Sequence, residues 1–361
     1  MTSRQIINDC LQKNFSRIHS SGFCDSYESL IRYFLENHTD LKESFQFFKS
    51  EVAQDWFSNL FSLSFIEDVF NEDPHEIILH SHQHIQFTTF NSSMEHTLYD
   101  LEVIEYNLSM EFLAIRHGQS FNYENPFCSF DGTLFGKKVR VTLIHSSTNQ
   151  NHCHKAYIRI FKKEIFTLDQ FTNSSELKDY LIDQGRSFSN ILISGSTGSG
   201  KTSFLNSLLC HLNQEEHTVV IEDLPEIRTH SQNVSHLITR TGRKDDDYLN
   251  YCHYLLRMRP DRILLGEIRS SEVVPLILNL NNGHKGLMST IHANSALDAI
   301  DRLIMLFCLY SNLKTIDANN IQELVCRNID IIVHLEKGKI KEAIWLKGIS
   351  HGRPFFENII S

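Results

Sequence analysis

The spacing of apolar residues divides the chain into three regions with different periodicities. In the first region, residues 1–65, apolar side chains recur at helical spacing. One such stripe, which follows an Asp40-x-x-Glu43 capping box, consists of Leu41, Phe45, Phe48, Val52 and Trp56. We predict a helical extension whose apolar stripes are core or docking faces. Contact with a membrane or a partner is the less favoured alternative, because the polar faces are not basic.

The second region, residues 66–165, changes to short alternating runs. Residues 76–80, 84–88, 138–144 and 156–161 read as strands, and residues 98–115 read as a helix. This mixture predicts a small α+β domain.

The third region, residues 166–361, begins with a linker and then alternates helices with short buried strands to about residue 345. Regular alternation of this kind predicts an α/β domain.

Composition narrows the classes of function. Hydrophobic residues make up 41% of the 361 residues and charged residues 22%, which is typical of a globular chain. A net charge of −10 disfavours a broad basic surface for nucleic acid, although a local basic channel stays possible. The eight cysteines form no C-x-x-C pair, and we expect buried thiols in a reducing cytosol. The longest apolar run, residues 303–310, is too short to span a bilayer, so we expect any membrane association to be peripheral.

A G-x-x-x-x-G-K-[ST] motif lies between a predicted buried strand and an apolar-periodic helix. It consists of Gly195, Ser196, Thr197, Gly198, Ser199, Gly200, Lys201 and Thr202. The glycines allow the backbone to wrap closely around phosphate oxygens, and the helix N-terminus adds partial positive charge. In this motif the lysine reaches the β- and γ-phosphates and the hydroxyl is a ligand for Mg²⁺. The flanking elements argue against a chance glycine-rich loop, so we predict nucleoside triphosphate binding.

Three carboxylates follow the next predicted strand: Glu222, Asp223 and Glu226. Strand ends do not ordinarily carry such charge unless it is paired or binds a metal. We interpret Glu222 as a candidate to position the attacking water and Asp223 as a candidate Mg²⁺ ligand. A solvated loop is the alternative.

Two later strands also end in chemically useful side chains. The run 262–269 places Glu267 at a strand tip, as in a Walker B element with glutamate in place of aspartate. Glu267 would hold Mg²⁺ together with Thr202, or position water for attack on the γ-phosphate. The run 283–294 ends its strand at His292, which we interpret as a sensor of the γ-phosphate.

These four motifs, in this order, resemble those of the secretion (traffic) ATPase superfamily, over most of residues 190–335. The R-M-R-P-D-R and G-H-K-G sequences are most similar to the VirB-type branch of type IV secretion and its relative in tight-adherence pilus assembly. The resemblance implies a RecA-like P-loop ATPase domain that takes ATP and Mg²⁺. It also implies a cytoplasmic homohexamer, docked peripherally on an inner-membrane secretion or pilus machine. From the acidic net charge we expect no direct contact with nucleic acid.

The resemblance also implies roles for four arginines. Arg140 and Arg159, in the α+β domain, match residues that reach the nucleotide, although ordinary charge on a strand would explain them as well. Arg257 and Arg269 match candidates for charge stabilisation across a subunit interface. Arg257 has an alternative explanation as a cation favoured near a helix C-terminus.

Two histidine-rich runs, 80–84 and 152–154, have side chains that could bind a metal ion such as zinc. His80, His82 and His84 would share one face if the run were a strand. Because the chain carries 20 histidines, such clusters arise by chance, and we expect no metal at either run.

The sequence therefore predicts an ATPase that powers assembly of, or transport through, a type IV secretion-type machine. Three alternatives stay open: a pilus-assembly ATPase, a nucleotide-gated assembly hub with little hydrolysis, and a nucleic-acid motor. The acidic charge disfavours the last of these.

Overall fold

The computed structural model describes residues 62–89, 93–97, 101–150, 152–161, 166–240, 244–311 and 318–359. The chain separates into two compact units, and the division falls between residues 163 and 164. Residues 1–61 of the predicted helical extension are not among the described residues, so the extension stays a prediction. None of the described helices is long and apolar enough to cross a membrane.

The first unit contains a six-stranded antiparallel sheet in the order β3-β2-β1-β6-β5-β4. Its strands are β1 (Glu76–Leu79), β2 (His84–Thr88), β3 (Ser93–Thr97), β4 (Phe127–Leu134), β5 (Lys137–Ile144) and β6 (Lys155–Ile160). Its helices are α1 (Glu67–Asn71) and α2 (Val103–Arg116). A capping box between Glu102 and Glu105 starts α2, because each side chain accepts a hydrogen bond from the other's backbone amide.

Strict alternation on β5 and β6 builds the core of this unit. Val139, Val141 and Leu143 are buried, as are Ala156 and Ile158 on the neighbouring strand. The intervening residues face the other side of the sheet, which is why Arg140 and Arg159 stay accessible. Strand β4 was not predicted, because Asp131 and Gly132 interrupt its apolar pattern.

The second unit contains an eight-stranded sheet in the order β14-β13-β12-β7-β11-β10-β8-β9. Its strands are β7 (Ile191–Gly195), β8 (His217–Glu222), β9 (Asn233–Ile238), β10 (Arg262–Ile268), β11 (Leu287–Ile291), β12 (Ile331–Glu336), β13 (Lys339–Ser350) and β14 (Arg353–Asn358). Its helices are α3 (Ser175–Arg186), α4 (Lys201–Leu209), α5 (Lys244–Met258), α6 (Val273–Asn281), α7 (Ala296–Tyr310) and α8 (Ala318–Asn328).

Strands β12, β7, β11, β10, β8 and β9 pair in parallel, and helices connect most of them. All five residues of β7 and all five of β11 are buried, as expected for strands covered on both faces. The predicted alternation of helix and strand to residue 345 is wrong at its end. Strands β12, β13 and β14 instead form an antiparallel meander at one edge.

The described cysteines are free thiols, as expected. The expectation that all are buried is wrong for Cys210 and Cys308, which are exposed. Cys210 directly follows α4, and Cys308 lies in the last turn of α7.

Candidate nucleotide site

Parallel pairing brings the four sequence motifs to one edge of the second sheet. Strands β7, β11, β10 and β8 are neighbours in that order, so their carboxyl ends lie side by side. The phosphate loop leaves β7, His292 follows β11, Glu267 lies near the end of β10, and Glu222 ends β8. Ligands of open α/β sheets bind at this edge, outside the carboxyl ends of the strands.

The phosphate loop has the backbone that its glycines were expected to permit. Gly195, Gly198 and Gly200 have φ values of +153°, +73° and +92°. A Cβ atom on Gly195 would lie 2.5 Å from the carbonyl oxygen of Leu335 and would also overlap Ser199. Side chains other than glycine are therefore excluded here by both strain and space.

Helix α4 begins at this loop, and the first backbone amides of the helix can donate to a ligand. Gly200 is the N-cap residue and makes no side-chain capping hydrogen bond. The first amides of a helix have no acceptor within the helix, and the N-terminus carries partial positive charge. This end of α4 is therefore suited to bind phosphate oxygens.

Lys201 is nearly buried, at 8% exposure, and its ammonium group contacts its own loop. Nζ donates to the carbonyl oxygens of Gly195 (3.0 Å) and Ser196 (2.8 Å), and it lies 3.3 Å from Nδ1 of His292. A bound nucleotide would offer phosphate oxygens to the same ammonium group.

His292 connects Lys201 to Glu267. Since an ammonium group can only donate, Nδ1 of His292 accepts from Lys201 and its proton is on Nε2. Nε2 lies 3.1 Å from Oε1 of Glu267, within the distance of an ion pair. Burial and the nearby Lys201 hold the pKa of His292 below its ordinary value, which favours the neutral ring that can accept a hydrogen bond from Lys201.

Glu222 lies one strand beyond Glu267 and is almost completely buried, at 2% exposure. Its Oε2 accepts hydrogen bonds from the amides of Glu226 (3.0 Å) and Ile227 (2.9 Å), and its Oε1 contacts Nε2 of His236. Burial raises the pKa of Glu222, and these donors act in the opposite direction. The burial of Glu222 contradicts the solvated-loop alternative for this residue.

Asp223 and Arg269 form an ion pair at the same edge, with Nη2 of Arg269 3.0 Å from Oδ2 of Asp223. The guanidinium also lies over the ring of Tyr248, 5.6 Å from its centroid. Glu272 fixes the backbone here, because its Oε1 accepts from the amides of Arg269 (2.6 Å) and Ser270 (2.9 Å). Arg269 therefore belongs to the constellation around the phosphate loop.

Arg257 lies elsewhere. It is exposed near the C-terminus of α5, over the ring of Tyr254, and α5 leads into the start of β10. That start is at the opposite edge of the sheet from the phosphate loop. Within one chain the structure thus brings Arg269, and not Arg257, to the candidate site; a role for Arg257 across a subunit interface stays a prediction.

Comparison with known proteins agrees with this geometry. The profile of the family described as Type II/IV secretion system protein matches residues 134–342, which is more than half of the chain. The chain belongs to this family. The resemblance inferred from the four motifs is thereby confirmed.

Two curated relatives of this family are similar in sequence. VirB11 of Bartonella quintana, a type IV secretion system protein, is 36% identical over 157 residues, which cover 42% of this chain and 44% of that protein. The conjugal transfer protein TrbB of Rhizobium radiobacter is 33% identical over 168 residues, which cover 44% of this chain and 49% of that protein. The chain therefore matches less than half the length of either relative.

The ATPase DotB of Yersinia pseudotuberculosis has a similar fold. Its crystal structure aligns with a TM-score of 0.56 at 15% identity, over 86% of this chain and 79% of that one. The predicted fold, a RecA-like ATPase domain preceded by a smaller α+β domain, is confirmed.

Arg140 and Arg159 lie in the first unit of this secretion-family chain. They oppose each other on the interior strands β5 and β6, and Glu76 opposes Arg159 on the other side. Nε of Arg140 lies 3.1 Å from Oδ1 of Asp131. Like charges at opposed positions are unfavourable, and the two flanking acids offset part of that cost. Their role toward nucleotide stays a prediction.

The proposed Mg²⁺ ligands, Thr202, Glu267 and Asp223, are all oxygen donors, which is the chemistry that Mg²⁺ prefers. Thr202 lies in the first turn of α4, and the Glu267 side chain is 26% exposed at the same edge of the sheet. One oxygen of Asp223 is occupied by Arg269. The donor set therefore fits the metal, with Asp223 the least available of the three.

The structure contradicts the geometric premise of the first histidine cluster. Strand β1 ends at Leu79 and β2 begins at His84, so His80 and His82 lie in the connecting turn and not on one strand face. Among the described residues, a different trio brings potential metal ligands within 4.8 Å of one another: Glu111, His145 and His154.

Hydrogen bonding in this trio is incompatible with a metal on His154. Its Nδ1 accepts from the amide of Ser146 (2.8 Å), so the proton of the neutral ring is on Nε2, which donates to Glu111 (2.9 Å). A metal on Nε2 would displace that proton, whereas metal-bound histidines donate from their other nitrogen. Within the first unit, Glu111 and His154 thus form a hydrogen-bonded pair, and the His145 ring packs beside that of His154 with 4.5 Å between the centroids.

We expect the first unit to lose stability as the pH falls from 6.5 towards 4. Burial lowers the pKa of His154 from 6.5 to about 4, so between these values the unfolded chain binds a proton that the folded chain excludes. Stability therefore rises with pH in this window, and we expect it to be about 2 kcal/mol lower at pH 5 than at pH 7.

Hydrogen exchange of the amides in β6, corrected for the intrinsic effect of pH, would measure this change. His154→Gln is expected to flatten the dependence, and His84→Gln, at an exposed position of the same unit, is expected to preserve it. An equal slope in wild type and His154→Gln would contradict the assignment.

Sequence reasoning missed two residues of this site, Asn206 and His236. Asn206 was read only as part of an apolar-periodic helix. His236 lies on β9, which was not predicted because its sequence, Asn-Val-Ser-His-Leu-Ile, alternates weakly. In a single sequence, neither residue carries a motif that would have marked it.

Proposed function

We propose that this chain is an ATPase that hydrolyses ATP to ADP and phosphate and powers a type IV secretion-type machine. The observation that carries the proposal is the line of contacts beside the phosphate loop: Lys201 hydrogen-bonds to His292, and His292 lies 3.1 Å from Glu267. The names of VirB11 and TrbB, a secretion protein and a conjugal transfer protein, support the choice of machine.

In the proposed mechanism, ATP places its phosphates on the loop at 195–202 and against the N-terminus of α4. Lys201 exchanges the carbonyl oxygens of Gly195 and Ser196 for oxygens of the β- and γ-phosphates. His292 then loses its hydrogen bond from Lys201. The imidazole therefore responds to whether Lys201 contacts its own loop or the nucleotide, which is the behaviour of a γ-phosphate sensor.

The carboxylates complete the site. Thr202 and Glu267 would hold Mg²⁺, directly or through water, and the ion would supply positive charge against the phosphate oxygens. Glu222 or Glu267 positions the attacking water. Arg269 brings a guanidinium to the same edge of the sheet, where negative charge spreads over the γ-phosphate during transfer.

We further propose a homohexamer on the cytoplasmic face of the inner membrane, in which Arg140, Arg159 and Arg257 act on nucleotide from neighbouring units or subunits. The resemblance to secretion ATPases supports this assembly. A net charge of −10 favours a protein partner in the machine over direct contact with nucleic acid.

Phosphate release measured against protein concentration tests the proposal. We expect a rate per subunit that rises with concentration, because the sites are completed between subunits. A flat rate near zero in a protein that binds ATP would contradict hydrolysis by the isolated chain and favour a nucleotide-gated hub. Stimulation by DNA with a steep salt dependence would favour a nucleic-acid motor.

A further inference from the structure

The loop at residues 226–228, which follows Glu222, is hydrogen-bonded to helix α4 beside the phosphate loop. Asn206 lies on α4, five residues after the start of the helix at Lys201, and is 8% exposed. Its Nδ2 donates to the carbonyl oxygen of Glu226 (2.9 Å), and its Oδ1 accepts from the amide of Arg228 (2.8 Å). The Asn206 side chain therefore hydrogen-bonds to the residues on both sides of Ile227.

The same loop segment holds the carboxylate of Glu222. The amides of Glu226 and Ile227 both donate to Oε2, so that oxygen has both of its lone pairs engaged. The position of Oε2 thus depends on the loop at 226–228, and the position of that loop depends on Asn206.

His236 contacts Oε1, the other oxygen of the Glu222 carboxylate. It lies on the edge strand β9, and its Nε2 contacts Oε1 of Glu222 on the neighbouring strand β8. On the opposite side, Gly266 of β10 approaches so closely that an added Cβ atom would lie 3.0 Å from Cβ of Glu222. The carboxylate is therefore held between β9, β10 and the loop.

We propose that Asn206 and His236 are positioning residues for Glu222, and that Asn206 couples the nucleotide-binding helix to this carboxylate. The inference rests on the proposed ATPase function. A displacement of α4 when nucleotide binds would pass through Asn206 to the loop, and through the two loop amides to Oε2. The single lone pair of Oε1 that His236 leaves available is then the one that can accept a hydrogen bond from water.

Paired variants at His236 test the contact with Glu222. Glutamine places an amide N–H at about the reach of the imidazole Nε2, whereas asparagine carries the same group one methylene shorter. We expect His236→Gln to retain most of the wild-type kcat and His236→Asn to lose about 10- to 100-fold, with ATP binding unchanged in both. Equal kcat in the two variants, whether high or low, would overturn the role of His236.

The Asn206 link is tested by Asn206→Ala, with Ser207→Ala as the matched control. Ser207 is also a buried polar residue of the same helix, and its hydroxyl bonds only to the carbonyl oxygen of Phe204 (2.9 Å) among the contacts described. We expect Asn206→Ala to accelerate hydrogen exchange of the Glu226 and Ile227 amides and to lower kcat, and Ser207→Ala to do neither. Unchanged exchange at both amides in Asn206→Ala would overturn the link.

These measurements distinguish a failure of the positioning role from a failure of the proposed ATPase function. A wild-type protein that hydrolyses ATP, combined with an unimpaired His236→Asn variant, contradicts the positioning role alone. A wild-type protein that binds ATP and never releases phosphate contradicts the proposed function, and the positioning role with it. In a Glu222→Gln background, single-turnover rates should no longer distinguish His236→Gln from His236→Asn; a persisting difference would show that His236 acts by another route.

Discussion

Replacing Lys201 with alanine is expected to reduce ATP turnover by at least about 100-fold. The ammonium group is nearly buried and its three described contacts are all within the candidate site: the carbonyl oxygens of Gly195 and Ser196 and the imidazole of His292. No other cation in the described loop and first turn of α4 can take its place against the β- and γ-phosphates. Charge that develops on the γ-phosphate during transfer would then be poorly balanced.

Phosphate release at saturating ATP is the measurement for Lys201, together with the affinity for a fluorescent ATP analogue. Lys178→Ala is a suitable control, because Lys178 is on the surface of α3, where it pairs with Asp169. We expect that variant to match wild type. Near wild-type turnover in Lys201→Ala would refute the assignment of the phosphate loop.

Glu267→Gln is expected to bind ATP and to hydrolyse it at least about 100-fold more slowly than wild type. The amide oxygen of glutamine can take the place of Oε1, which lies 3.1 Å from Nε2 of His292, so the contact between His292 and Lys201 should survive. The amide has lost the negative charge, however, and it cannot take a proton from water. The change therefore removes the chemistry of the carboxylate while it preserves the shape of the site.

Equilibrium binding of the ATP analogue and single-turnover hydrolysis together measure this effect. Glu323→Gln, at a half-buried position of α8 where the carboxylate pairs with Arg327, provides the control and should leave both quantities unchanged. Loss of ATP binding in Glu267→Gln would show that the residue supports the structure of the site. A wild-type rate would assign water activation to Glu222 alone.

The phosphate loop could be predicted from the sequence because everything that defines it is local. The spacing of Gly195, Gly200 and Lys201, the apolar run before them and the helix after them occupy consecutive residues. The same holds for Glu267 and His292, which lie at or just after the end of strands that are mostly apolar and buried. Their order along the chain then identified the family, because ordered motifs are far more specific than any one of them.

Contacts between distant residues could not be predicted in this way. Lys201 and His292 are 91 residues apart, and they meet because β7 and β11 are neighbours in the sheet. His236 reaches Glu222 because β9 pairs beside β8, and Asn206 reaches the loop at 226–228 because α4 packs against it. Strand order is a property of the whole domain, and periodicity within one segment does not determine it.

The same reason separates the two arginines and the histidine clusters. Arg257 and Arg269 were equivalent candidates in the sequence, and only the direction of β10 assigns them to opposite edges of the sheet. His80, His82 and His84 shared a face only under the assumption of a continuous strand, which the turn between β1 and β2 breaks. The sequence by itself thus determined which chemistry this protein carries, since that depends on residue types at short spacing. The tertiary structure decided which of those residues meet, because contact depends on how strands are ordered and where helices pack.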